Sequence, residues 1–119
     1  MRFDPDTRSI AAAREFVVDS AGLEKSQSDV LAVLIGELAN NAVLHARTPY
    51  NVDVDHSGRS VRVEVRDWSS DLPELQKYRP ESLGGRGLQV VAALTDRWGV
   101  TPTGDGKIVW FEYRPALSS

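Results

Sequence analysis

Two periods alternate along the chain. In SIAAAREFVVDSAG, apolar Ile10, Ala13, Phe16 and Val17 recur at helical spacing, and Gly22 stands where a helix C-terminus is expected. The polar stretch EKSQSD comes next, with Ser26 and Ser28 as candidate N-caps for a second helix expected from about Gln27 to Ala46. The period then shortens to two. NVDVD and SVRVEVRD alternate apolar and polar residues about the turn signal HSGR, which predicts an antiparallel hairpin with Val61, Val63 and Val65 on one face. From Trp68 to Gly85 no period is sustained, and a loop this long in a compact domain is usually functional or disordered. GGRGLQVVAALTDRWG predicts a glycine-entered third helix ending near Gly99, and VTPTGDGKIVWFEYR predicts a second hairpin turned at Thr103-Gly104-Asp105-Gly106. The last strand is apolar on both sides, with Ile108 and Trp110 against Val109, Phe111 and Tyr113, as expected of a central strand covered on both faces. The order α-α-β-β-loop-α-β-β predicts an α+β two-layer sandwich, with helices packed on one face of a mostly antiparallel sheet.

Composition narrows the class. At 119 residues the chain is expected to form one domain, residues 1–119, with a core that needs no staples. Cysteine is absent, which removes disulfides, thiolate metal sites and thiol catalysis, and fits a cytoplasmic setting. A net charge of -3 and a pI near 5.3 argue against direct nucleic-acid binding. The opening MRFDPDTRS lacks the apolar core of a signal peptide. The longest apolar run, Val30 to Ile35, is too short to span a membrane.

Candidate chemistry sits at four places. In GELANNAVLHA, Gly36 to Ala46, Glu37 and Asn41 fall one helical turn apart on the same surface, flanked by Val30, Val33 and Leu44. A carboxylate among apolar residues suits general-base work, and an amide oxygen is a hard ligand suited to Mg²⁺. An exposed polar patch or a loop cap remains open as an alternative. In VRDWSS, Asp67 ends a strand, where it can accept from an exocyclic amine or simply open a turn. GGRG, Gly84 to Gly87, precedes a helix and offers free backbone N–H groups to phosphate, although it is neither a Walker A loop nor a dinucleotide fingerprint. The final GDGKIVWF is a glycine turn leading into a strand. His45 and His56 have no supporting cluster and are read as structural, while Trp68 and Tyr78 can stack on a base or pack.

In this order the motifs resemble the Bergerat-fold (GHKL) ATP-binding domain of type II topoisomerases, heat-shock chaperones and sensor histidine kinases. GELANNAVLHA looks like its N box, and VRDWSS, GGRGLQVVAAL and GDGKIVWF look like its three glycine boxes, over about Ile10 to Tyr113. Within that superfamily, the short chain and the run GRGLQVV, LTDRWGV and GKIVWFEYR look most like the stand-alone anti-sigma-factor serine kinases of actinobacteria. The resemblance implies ATP and Mg²⁺ as cofactors, with Glu37 as catalytic base and Asn41 as the metal ligand. It further implies Asp67 as the reader of the adenine amine, Gly85 and Gly87 as phosphate-binding backbone, and Trp68 to Gly84 as a lid. It implies a homodimer whose partners are a sigma factor and an anti-sigma antagonist phosphorylated on serine, with no membrane involved. A nucleotide-gated binding module on the same fold is the alternative. Two departures stand out: Ser69 replaces the glycine of D-x-G, and Ile108 stands where a threonine follows Gly-Lys in the third box. One lost hydrogen bond of this kind costs roughly 0.5–1.5 kcal/mol, which weakens binding without abolishing it.

Overall fold

The computed structural model describes residues 1–69 and 87–115. Helix α1 (Ser9–Ala21) buries Ile10, Ala13, Val17 and Ala21, the spacing expected of its apolar stripe, while Phe16 is partly buried beside them. Gly22 closes it in a left-handed conformation, its N–H donating to the Val18 carbonyl at 3.1 Å. Helix α2 (Lys25–Asn41) starts earlier than expected, and neither serine caps it. Glu24 holds the capping position, and Ser28 Oγ instead donates back to the Leu23 carbonyl at 3.1 Å. The helix does not run unbroken to Ala46 either. Residues Ala42–Ala46 form a π-helical turn, ended by Arg47 at φ 58° with its N–H on the Ala42 carbonyl at 2.9 Å. Pro49 then disfavours helical geometry at Thr48, and the chain turns into strand.

Strands β2 (Tyr50–Ser57) and β3 (Ser60–Asp67) form the expected hairpin, with Gly58 at φ 59° in the first turn position. Helix α3 (Gly87–Leu94) is shorter than its spacing suggested. Arg97–Gly99 already belong to strand β4 (Arg97–Pro102), which pairs with β5 (Lys107–Tyr113) across the expected glycine turn. A two-residue strand β1 (Arg2–Phe3), too short to show a period, pairs with β2. The sheet order is β1-β2-β3-β5-β4, and every pairing is antiparallel.

The helices lie on one face: α1 over β2, α2 over β3 and β5, and α3 against α2 and β4. Between the layers Leu31, Leu34, Ile35 and Leu38 meet Val61, Val63, Val65, Val109 and Phe111, all nearly or fully buried. Each such side chain contributes about 1.5–3 kcal/mol by leaving water. Helix α2 and its π turn together are long and apolar enough to cross a bilayer by composition, but half of that window is buried in this core.

The second face of β5 is not covered by another layer of the described structure. Ile108, Trp110 and Glu112 are only partly buried there. Arg62 lies over the Trp110 ring at 4.1 Å and donates to Glu112 at 2.8 Å, while Arg97 donates to the other Glu112 oxygen. The Arg97 guanidinium, and after it that of Arg62, holds the Glu112 carboxyl below its ordinary value. Long charged side chains thus shield the apolar stripe that the alternation exposed.

Candidate functional site

Asp67 ends β3 between Tyr50 of β2 and Lys107 of β5, its direct cross-strand neighbours. The Asp67 carboxylate is buried: Oδ2 accepts from Lys107 Nζ at 2.7 Å, and Oδ1 accepts the backbone N–H of Ser69 at 3.1 Å. Ser69 at the D-x-G glycine position therefore still leaves its backbone N–H for Asp67. The far side of this corner is pinned by Thr48, whose Oγ1 accepts the Trp68 N–H at 3.0 Å and donates to the Pro49 carbonyl at 2.9 Å. On the Tyr50 side, burial pushes the phenol up, opposed by a 2.6 Å hydrogen bond with Ser9 Oγ.

Strand alternation sorts the residues of the third glycine box between the two faces of the sheet. Lys107, Val109 and Phe111 point into the helix-facing layer, so Ile108 points to the opposite face with Trp110. Lys107 is the third-box residue that stands beside Asp67. The signal was present in the sequence, because a lysine at an inward position of an apolar strand needs a buried partner.

Gly106 makes that pairing possible. A Cβ there would fall on the carbonyl oxygen of Asp67, with the Trp68 Cα 2.9 Å away, so only glycine lets the turn rest on the strand end. Backbone cannot give way as a side-chain tip can. Gly106→Ala is expected to lower unfolding stability by about 1–3 kcal/mol, while Gly104→Ala, with nothing within 4 Å of its Cβ, is expected to change little. Thermal denaturation of the two variants side by side checks this.

On the facing helix, Glu37 and Asn41 lie one turn apart. Glu37 is half-buried, and among the described residues nothing hydrogen-bonds or pairs with it. Val33 and Leu44, which flank it, are largely exposed, while Val30 is partly buried against the core. Asn41 is buried, yet its Nδ2 has no hydrogen-bond partner among the described residues. An orphaned buried amide is uncommon in a folded protein and calls for an unseen partner. The amide can present either its oxygen or its nitrogen after a flip, so it suits a metal ion or a phosphate oxygen. Among the described residues no three acidic or histidine side chains converge as a metal cage. That donor set fits Mg²⁺ arriving with a nucleotide, which takes few protein ligands and fills its shell with phosphate and water.

Gly87 is the first residue of α3, while Gly85, Tyr78 and most of the stretch read as a lid lie outside the described residues. Trp68 is described, and its ring lies within 5.6 Å of the Arg2 guanidinium and 5.4 Å of the Arg66 guanidinium, a packing role. His45 is exposed on the π turn and His56 is exposed near the hairpin tip, remote from any cluster among the described residues.

A helical layer on a five-stranded antiparallel sheet, with polar residues on its central helix and a buried carboxylate at a strand end, has the build of a GHKL-type ATP-binding domain. Residues 3–113 match the histidine kinase-like ATPase domain, and the chain belongs to that family. It is similar in fold to a histidine kinase domain from Erythrobacter litoralis EL346 blue-light activated histidine kinase, with TM-score 0.61 and 21% identity. That match covers 91% of this chain and 60% of the other. No curated protein sequence matches the chain.

Proposed function

We propose that the protein is an ATP-dependent serine protein kinase of the anti-sigma type, acting in the cytoplasm as a homodimer. In this reading it sequesters a sigma factor and phosphorylates an antagonist protein on serine. The observation that carries the reading is the pairing on α2: a half-buried carboxylate without a partner among the described residues, Glu37, one turn before a buried amide with an unmet hydrogen bond, Asn41. Family membership supplies the nucleotide, and the likeness of the run GRGLQVV, LTDRWGV and GKIVWFEYR to the stand-alone anti-sigma kinases supports the subtype.

Asn41 is the residue that would hold Mg²⁺, which when bound neutralises charge on the phosphates. Asp67 would accept from the adenine amine, and the resemblance assigns the backbone N–H groups of Gly85 and Gly87 to the phosphates. Glu37 orients the serine hydroxyl and takes its proton as the serine oxygen bonds to the γ-phosphorus. The bond to the β–γ bridging oxygen breaks, and ADP leaves. Chemistry of this kind is mostly positioning and electrostatics, so few side chains suffice.

Incubating the protein with γ-labelled ATP, Mg²⁺ and candidate antagonist proteins tests the proposal. Label in acid-stable phosphoserine is the expected result. Label in acid-labile phosphohistidine contradicts the serine assignment. Nucleotide binding without any transfer, and with partner binding that responds to nucleotide, favours the gated binding module instead.

A further inference from the structure

Lys107 is the single charged side chain that β5 directs into the helix-facing layer, and its side chain is 8% exposed against 3% for Asp67. The two are direct cross-strand partners, joined at 2.7 Å, and Gly106 brings the strand start down onto the Asp67 backbone. The second carboxylate oxygen takes the Ser69 N–H. A carboxylate has about four lone-pair directions, so two contacts hold the group in place and still leave acceptor capacity for a ligand. A charged carboxylate can only accept. Facing an ammonium in a buried site, it offers a base edge no donor.

We propose that Lys107 is a positioning residue that sets base selectivity. It fixes Asp67 as an acceptor-only group, so that the site takes a purine with an exocyclic amine at C6 and rejects the 6-oxo purine. The proposal rests on the nucleotide reading above, in which Asp67 meets the base. Removing the ammonium has a specific chemical consequence. Without it Oδ2 has no partner to fix it, and the carboxylate is free to turn from the base edge. Only the base that gives Asp67 a donor, the 6-amino purine, loses a contact by that. Selectivity therefore falls, whereas loss of a merely structural lysine would weaken both bases alike.

The experiment is calorimetric titration with ATP and with ITP, which carries oxygen where ATP carries the amine, at one pH with Mg²⁺. For the native protein, ATP is expected to bind at least about tenfold more tightly than ITP, since a site built around a substrate amine rejects its analogue. Lys107→Met is expected to bring the two affinities together, and Lys107→Arg, which keeps a cation, to restore the preference for ATP. If Lys107→Met does not fold, the double variant Asp67→Asn with Lys107→Met leaves no lone buried charge. Its amide can turn either end to the base, and the preference is again expected to disappear. Variants that lose ATP and ITP affinity in parallel, with the ratio unchanged, overturn the proposal and leave the nucleotide site standing. A native protein that binds neither overturns both.

Discussion

Lys107→Ala lowers the unfolding free energy by about 3–5 kcal/mol, the cost of leaving one partner of a buried ion pair uncompensated. The expectation comes from placement. The Lys107 ammonium and the Asp67 carboxylate are both almost wholly buried and 2.7 Å apart. Exposed pairs such as Lys25 with Asp29, 89% and 67% exposed, contribute at most about 1 kcal/mol. Against a typical total of about 5–15 kcal/mol, the loss at Lys107 is a large share. Removing both charges, as in Asp67→Asn with Lys107→Met, is expected to cost much less than the sum of the single changes, because no orphan remains. Urea unfolding of the native protein, Asp67→Asn, Lys107→Met and the double variant measures the coupling, with Lys107→Ala beside them. A Lys107→Ala loss below about 1 kcal/mol would mean that the pair is solvated and that the strand-end geometry is wrong.

Glu37→Gln acts on the other half of the site and on a different observable. A positioned general base contributes about 10²–10⁴-fold to rate, so phosphoryl transfer is expected to fall by that factor. Nucleotide affinity and stability are expected to hold, since Glu37 is half-buried and no described residue pairs with it. Glutamine keeps the shape and hydrogen-bonding reach while removing the ability to take the proton. Single-turnover transfer from labelled ATP, measured beside equilibrium nucleotide binding, separates the two effects. Weaker ATP binding with an unchanged transfer rate would make Glu37 a binding residue and leave the base unassigned.

Much of the fold is legible from spacing. Val61, Val63 and Val65 alternate so cleanly that hairpin, register and buried face come together, and all three are buried as expected. The α2 stripe is equally plain, and Glu37 with Asn41 lies one turn apart on that helix. The features that spacing does not show have physical causes. Leu94 and Trp98 keep helical spacing, which extends the expected third helix to Gly99. Pairing of Trp98 with Phe111 and of Val100 with Val109 instead draws that segment into the sheet. β1 exists only because β2 offers an edge to it, with Phe3 stacked on Tyr50 at 5.5 Å. The π turn adds one residue per turn without changing local propensity, so no residue type announces it. In the third glycine box the motif marks Ile108 as a departure but names no neighbour for Asp67. Strand alternation puts Lys107 there.

The central claim is that the α2 amide and the β3 carboxylate line a nucleotide site. Calorimetric titration of the purified protein with ATP and ADP, with and without Mg²⁺, alongside Asn41→Ala, tests it most directly. ATP binding is expected to strengthen with Mg²⁺ and, in Asn41→Ala, to lose about tenfold or more together with its Mg²⁺ dependence. No heat and no thermal shift at millimolar ATP would contradict the claim, leaving a partner-binding protein on a nucleotide-binding scaffold.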